Sequence, residues 1–161
     1  MAAGREAFVA RYGGLFEHSP WVAEAAYERG PFVSREDLLS ALTDAMRAAP
    51  LERRVALIRA HSDLAGKAAI EGRVTADSAR EQGSAGLDRL TPDEHEVFTR
   101  ANTAYRERFG FPFVICVREH DKESIIASAR ARLHNDQGTE VEVALGEIAK
   151  IARLRLEDLP R

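Results

Sequence analysis

The first candidate for an acid/base group is His61. It lies three positions after Ile58, in a segment whose apolar residues have helical spacing. This spacing puts the imidazole on the inward side of the helix, at its last turn. A histidine has a reference pKa near neutral pH and can donate or accept a proton. The alternative is a surface or capping histidine, because the helix macrodipole favours a cation at the C-terminal end. His61 alone leaves both interpretations open.

A second group of polar side chains comprises Ser78, Glu81 and Gln82. Positions i, i+3 and i+4 share one face of a helix, so this face offers a hydroxyl, a carboxylate and an amide. Such a set can form hydrogen bonds with a polar heterocycle and can pair with an imidazole. An ordinary solvated helix face is the alternative.

An arginine continues the apolar stripe of the last predicted helix, which the sequence places from about Thr139 to Leu156. Arg155 follows Ile151 by four positions, which keeps it on the same face. A guanidinium on an inward face needs an acidic or carbonyl partner, because an unpaired buried charge is costly. Arg155 is therefore either an anion clamp for a ligand or one half of a structural ion pair. The apolar members of the stripe are Val141, Ala144, Leu145, Ile148, Ile151 and Ala152.

The composition excludes several kinds of site. The 161 residues include one cysteine, Cys116, which rules out a disulfide within the chain and a zinc site with several thiolates. Cys116 lies in an apolar run and is predicted to be an inert core thiol. The net charge of -3 argues against a nucleic-acid surface, since phosphate binding needs concentrated positive charge. The acidic string at 93–96 does not predict a metal site, because neighbouring residues of a helix diverge and first turns favour acids.

Alanine is the most frequent residue, leucine is the most frequent large apolar one and β-branched runs are scarce, which favours helix throughout the chain. Helices are predicted to begin after Ser19-Pro20, Ser34, Thr75, Thr91 and Asp121, where capping residues precede apolar periodicity. The apolar run at 111–117 is the one predicted extended segment. These signals predict a single all-α domain over residues 1–161, a compact bundle of about seven to nine helices.

The chain shows no targeting or membrane signal. No segment approaches the roughly 18 consecutive apolar residues that a membrane-spanning helix needs. The first residues lack the apolar stretch of a secretory signal. We therefore expect no membrane partner and a cytoplasmic location.

Several short strings occur in an order typical of one family. They are Glu17-His18-Ser19-Pro20-Trp21, His61-Ser62-Asp63-Leu64-Ala65-Gly66, Ser78-x-x-Glu81-Gln82 followed by Ala85-Gly86-Leu87, Asn102-x-x-Tyr105, Phe109-Gly110-Phe111-Pro112-Phe113 and Lys150-Ile151-Ala152-Arg153-Leu154-Arg155-Leu156. The series, which covers about residues 16–159, resembles the 2-oxo-4-hydroxy-4-carboxy-5-ureidoimidazoline (OHCU) decarboxylase family of uric acid degradation. The chain departs from the family pattern at Ser62, since the family usually has a proline directly after the active histidine.

The resemblance implies an all-helical homodimer that acts on a small molecule, OHCU, without a metal or an organic cofactor. It implies His61 as the catalytic acid/base and Glu81 as its partner. The implied substrate-binding residues are Ser62, Ser78, Ala79, Arg80, Gln82, Phe113, Val114, Ile115, Cys116, Val117 and Arg155, with those at 113–117 acting largely through backbone groups.

The chemistry of the implied reaction can be argued from the substrate. Decarboxylation leaves an electron pair, and in OHCU the carboxylate stands beside an imine, so the ring accepts the pair and no electron-sink cofactor is required. We expect protonated His61 to donate to the ring carbon, giving (S)-allantoin, and Glu81 to raise the imidazole pKa. Two alternatives stay open: a non-catalytic helical binding domain, and a decarboxylase of the same fold that acts on a related ureido compound.

Overall fold

The computed structural model describes residues 2–161, apart from the side chains of residues 2, 3, 67 and 68. Within this range the chain forms nine α-helices and two 3₁₀ turns but no strand, which confirms the predicted all-α class and helix number. The helices are α1 (Ala2–Tyr12), α2 (Trp21–Tyr27), α3 (Arg35–Ala48), α4 (Leu51–Arg59), α5 (Lys67–Ile70), α6 (Ala76–Ser84), α7 (Pro92–Phe109), α8 (Lys122–Arg132) and α9 (Gln137–Asp158). None of the helices in this described range is long and apolar enough to cross a membrane.

The chain divides into two compact units. The first contains the residues up to Ala60 together with Ile148–Arg161, and the second is His61–Glu147. Each unit has its own fully buried apolar side chains: Phe16, Val22, Leu42, Met46, Leu57 and Ile58 in the first, and Tyr105, Phe111, Ile125 and Leu145 in the second. The single domain expected from the chain length stays a prediction.

Helix α1 has no counterpart among the helices predicted from the sequence. Its first residues are small and carry no capping signal, so local propensity gives little indication of a start. Packing within the first unit accounts for it, because the Phe8 ring lies against the rings of Tyr12, Tyr27 and Phe32 at centroid distances of 4.9, 5.4 and 5.8 Å. Tertiary contacts of this kind supply most helix stability in proteins.

The predicted cap of α2 is wrong. The Ser19 hydroxyl donates to the carbonyl oxygen of Glu17 at 2.8 Å, and α2 begins after Pro20 without a side-chain cap. His18, with a φ of 47°, lies in the left-handed region and turns the chain between these residues. The serine hydroxyl is therefore used to close this turn and is not available to the helix.

The other predicted caps are confirmed. Thr91 and Glu94 form a reciprocal capping box at the start of α7, and Asp121 forms one with Ser124 at the start of α8. The Ser34 and Thr75 side chains accept hydrogen bonds from the backbone three residues on, at 3.0 and 3.2 Å. These four caps determine where α3, α6, α7 and α8 begin.

The apolar run predicted as extended separates α7 from α8. Helix α7 ends at Phe109 and is followed by the C-cap Gly110, whose φ of 77° suits a residue without a side chain. Residues 112–116 have no regular secondary structure, and a 3₁₀ turn follows at Val117–Glu119. No ladder of backbone hydrogen bonds sets the direction of these peptide groups, so side chains of the second unit must do so.

Candidate active site

The loop that carries His61 is held by three side chains of the second unit. The Gln82 Oε1 atom accepts from the backbone N–H of Ala65 at 2.9 Å, and Asn102 Nδ2 donates to the carbonyl oxygen of Leu64 at 2.9 Å. Arg106 Nε donates to the Asp63 carboxylate at 3.1 Å. His61 itself is half-buried. The loop is therefore fixed within four residues of the imidazole, as the position of an acid/base group requires.

Helix α6 presents the predicted polar set on one face. Glu81 and Gln82 are buried and Ser78 is half-buried, so this face is not an ordinary solvated one. Gln82 Nε2 donates to Ser78 Oγ at 3.4 Å, the i, i+4 pair that the spacing predicts. The Gln82 amide thus links the face of α6 that carries Glu81 to the loop that carries His61.

Two residues of the predicted set lie elsewhere on α6. Ala79 and Arg80 are exposed, and the Arg80 guanidinium pairs with the Asp77 carboxylate on the same helix. The structure does not bring the Arg80 side chain together with Glu81 and Gln82. A substrate contact by Ala79 or Arg80 stays a prediction.

All five residues of the predicted substrate segment are buried. The Phe113 ring packs against Tyr105 at a centroid distance of 5.2 Å, so this side chain belongs to the core. The Val114 carbonyl oxygen accepts from Arg132 at 2.7 Å, and the Cys116 N–H donates to Glu147 at 3.3 Å.

Between these two bonds lies Ile115. Its backbone N–H and C=O form no hydrogen bond with any part of the chain that the structure describes. Buried peptide groups are nearly always paired. The backbone of Ile115 therefore has an unused donor and an unused acceptor in the middle of the predicted substrate segment.

The pKa of the Cys116 thiol depends on its burial and on the carboxylates around it. Burial, and then the carboxylates of Glu119, Glu147 and Glu81, raise the pKa of Cys116 to about 11. This effect requires Glu81 to lie near the segment, which agrees with the contact between α6 and the 3₁₀ turn at Val117–Glu119. A thiol with a raised pKa is a poor nucleophile near neutral pH, so the structure supports the predicted inert thiol.

A buried polar cluster behind the segment was not found by sequence reasoning. Arg132 Nε and the Tyr105 hydroxyl both donate to Glu140 Oε1 at 2.5 Å, and Asn135 donates to Glu140 Oε2 at 3.0 Å. Burial and the bond to Glu140 raise the pKa of Tyr105, so its hydroxyl stays protonated and donates. A signal was available: Arg132 follows Ala129 by three positions on the buried stripe of α8, just as Arg155 follows Ala152 by three positions on α9.

Arg155 lies in the first unit, where its predicted acidic partner is present. Its Nη2 atom pairs with Glu17 Oε1 at 2.8 Å, and its Nη1 atom donates to the Gly14 carbonyl oxygen at 3.5 Å. Both charged side chains are about 95% buried, at 5% and 4% exposure. The structural ion pair that the sequence left open is therefore formed, and the ligand contact of Arg155 stays a prediction.

A cavity of about 650 Å³ lies in the second unit next to part of this arrangement. Its lining includes Ala65, Ala79, Gln82, Leu87 and His95. Ala79 and Gln82 are members of the predicted site, whereas His61, Glu81 and Ile115 are not among the lining residues. The cavity therefore touches part of the predicted site and does not by itself locate the reacting groups.

Known proteins resemble the chain over nearly its whole length. A family model described as OHCU decarboxylase matches residues 1–157. A 2-oxo-4-hydroxy-4-carboxy-5-ureidoimidazoline decarboxylase of Haloferax volcanii is 42% identical over 153 residues, covering 95% of this chain and 89% of the relative. One from Halalkalicoccus jeotgali is 38% identical over 157 residues, covering 98% and 87%. A crystal structure of (S)-allantoin synthase is similar with a TM-score of 0.74 and 28% identity, covering 95% of this chain and 50% of that one.

Proposed function

The chain belongs to the OHCU decarboxylase family, and we propose that it decarboxylates 2-oxo-4-hydroxy-4-carboxy-5-ureidoimidazoline to (S)-allantoin in urate breakdown. The observation that carries the proposal is the bond between Gln82 and Ala65, which ties the helix bearing Glu81 to the loop bearing His61. The two groups that the reaction needs for proton delivery are thereby carried by elements that are fixed to each other.

The reaction breaks the bond between a ring carbon and its carboxylate. Carbon dioxide leaves, and the electron pair enters the neighbouring imine of the ring, forming an enol-like intermediate. The enol hydroxyl then gives its proton to the ring nitrogen that received the imine electrons and becomes the carbonyl of the decarboxylated carbon. The electron pair of the enol double bond takes a proton from protonated His61 at the neighbouring ring carbon, which carries the ureido group, and forms the new C–H bond there. Donation from one face gives one enantiomer, (S)-allantoin. Because the substrate is its own electron sink, the reaction requires neither a metal nor an organic cofactor.

The remaining residues bind and orient the ring. Glu81 holds the imidazolium through its opposite charge, which favours the protonated form before donation. The unused N–H and C=O of Ile115 suit the carbonyl and amide groups of a ureido substituent, which offer an acceptor and donors. Ser62, Ser78 and Gln82 add polar groups beside His61 and Glu81. Phe113, Val114, Cys116 and Val117 exclude water from the segment around Ile115.

The assembly and location form part of the same proposal. The family likeness implies a homodimer, which a molar mass near twice the 17.8 kDa of the chain would support in light scattering. A cytoplasmic location agrees with a pathway of small, soluble metabolites, and cell fractionation tests it.

The optical activity of the product tests the proposed function. The unstable substrate is generated from urate by the enzymes that precede this step, this protein is added, and circular dichroism is followed. We expect a lasting signal from (S)-allantoin, whereas spontaneous decay gives racemic allantoin and no lasting signal. A reaction that stays racemic with the folded protein would overturn the proposal.

A further inference from the structure

Two buried side chains hold the peptide segment on either side of Ile115. Arg132 Nη1 donates to the carbonyl oxygen of Val114 at 2.7 Å, and Glu147 Oε1 accepts from the N–H of Cys116 at 3.3 Å. Ile115, one residue from each contact, keeps both of its backbone groups unused. The direction of these groups is therefore set by side chains that come from α8 and α9.

Arg132 is itself held in one orientation. Its Nε atom donates to Glu140 Oε1 at 2.5 Å, and its guanidinium lies 4.4 Å from the centre of the Phe113 ring. The Arg132 and Glu140 side chains are only 8% and 0% exposed. A planar guanidinium can donate to Glu140 through Nε and to Val114 through Nη1 at the same time, whereas an ammonium group is a point donor.

This cluster is not explained by stability alone. A buried ion pair is weak evidence for stability, because desolvation of both charges offsets their attraction. What Arg132 does supply, through its bond to Val114, is a fixed carbonyl direction in a segment, 112–116, that has no regular secondary structure. A backbone binding site without a ladder of hydrogen bonds needs such support if it is to be rigid.

We propose that Arg132 and Glu147 are positioning residues that hold the Ile115 peptide groups in the orientation that binds the ureido part of the substrate. The inference rests on the proposed function. Neither side chain touches the proton that His61 donates, so their contribution is to binding of the substrate and the product. Binding that is equal in the ground and transition states changes KM and leaves kcat unaltered.

The variant Arg132→Lys tests the first contact. It keeps a positive charge beside Glu140 but cannot donate to Glu140 and Val114 in the same fixed geometry. We expect KM to rise and the affinity for (S)-allantoin to fall, each by about tenfold, with kcat within about twofold of the wild type. Steady-state kinetics and calorimetric titration with (S)-allantoin measure the two quantities.

Two control variants separate positioning from stability. Asn135→Ala removes a hydrogen bond from Glu140 but leaves the bond between Arg132 and Val114, so it should lower Tm without changing KM. Arg153→Lys makes the same substitution in an exposed ion pair with Glu36 and should change neither quantity. A folded Arg132→Lys protein with unchanged KM and unchanged affinity for (S)-allantoin would overturn the role of Arg132.

The second contact provides an independent test, which also applies if Arg132→Lys does not fold. Glu147→Ala removes the acceptor of the Cys116 N–H and should raise KM, whereas Glu147→Gln keeps an oxygen acceptor and should restore KM toward the wild-type value. Equal KM values for wild type, Ala and Gln variants would overturn the role of Glu147. Failure of the proposed function is distinguishable, because the wild-type protein would then give no (S)-allantoin at all.

Discussion

The side-chain oxygen of Gln82 and the backbone N–H of Ala65 form a hydrogen bond of 2.9 Å, and both residues are buried. Ala65 has a φ of 52°, so the loop is held in a conformation that an alanine adopts only with support from its surroundings. This hydrogen bond therefore links the conformation of the loop that carries His61 to α6, the helix that carries Glu81.

The variant Gln82→Ala leaves the Ala65 N–H buried without its acceptor. We expect the free energy of unfolding to fall by about 1–3 kcal/mol, the usual cost of an unsatisfied buried group. We also expect kcat to fall, because the loop that carries His61 loses the hydrogen bond that holds it to α6. Urea denaturation and steady-state kinetics measure these effects. Gln137→Ala, which removes a half-buried bond to the Phe109 carbonyl, is the control and should leave kcat unchanged.

Replacement of Glu81 tests the partner of the histidine. Glu81→Ala removes the carboxylate that we propose as the partner of His61, and we expect kcat to fall by about 10²-fold or more, the range of a general acid–base contribution. The exposed Glu123→Ala on α8 should leave kcat at the wild-type value. If Glu81→Ala changes only KM, Glu81 is a binding residue and does not assist the proton transfer.

Stability at alkaline pH tests the environment of Cys116. The pKa of Cys116 in the folded protein is raised to about 11 from its ordinary value of 9.0, so the unfolded chain releases the thiol proton first as the pH rises. The contribution of the neutral thiol to stability is therefore complete below about pH 9 and is lost as the pH rises through about 11. The wild-type protein should lose up to about 3 kcal/mol more than Cys116→Ala over this interval.

The comparison of wild type with Cys116→Ala separates the effect of this thiol on stability from that of other groups that titrate in the same pH range. Equal slopes of unfolding free energy against pH for wild type and Cys116→Ala would contradict the raised pKa. A buried neutral thiol also predicts that iodoacetamide at pH 7.5 leaves the activity of the native protein intact, which a timed alkylation assay measures.

Because Arg155 pairs with Glu17, single and double variants can separate the structural role of Arg155 from a contact with the ligand. Arg155→Met leaves Glu17 buried without its cation and should destabilise the fold by about 3–5 kcal/mol. The double variant Glu17→Leu/Arg155→Met removes both charges and should regain most of that stability. If Arg155 contacts substrate, the stable double variant stays inactive; if full activity returns, Arg155 is only structural.

The parts of the structure that could be predicted are those determined by neighbours in the chain. The capping boxes at Thr91 and Asp121 depend on residues three positions apart, and both are confirmed. The cap at Ser19 was wrong because its hydroxyl bonds to Glu17, within a turn that a left-handed His18 creates. A local pattern does not reveal such a turn.

The buried polar cluster behind the predicted substrate segment could not be predicted because its members are far apart in sequence. Arg132 bonds to Val114, 18 residues earlier, and Tyr105 bonds to Glu140, 35 residues later. Periodicity places each of them on a buried face but does not identify the partner. Ser78, Glu81 and Gln82, by contrast, lie on one helix, and their common face could be predicted from spacing alone.

The most direct test of the account compares the product formed by wild type and His61→Asn under the same conditions. Asparagine keeps a polar side chain of similar reach but has no acid to donate, and the exposed His134→Asn serves as the matched control. With OHCU generated from urate, circular dichroism should show (S)-allantoin for the wild type and His134→Asn, and only racemic allantoin at the spontaneous rate for a folded His61→Asn. Wild-type turnover and an enantiomerically pure product from His61→Asn would contradict proton donation by His61.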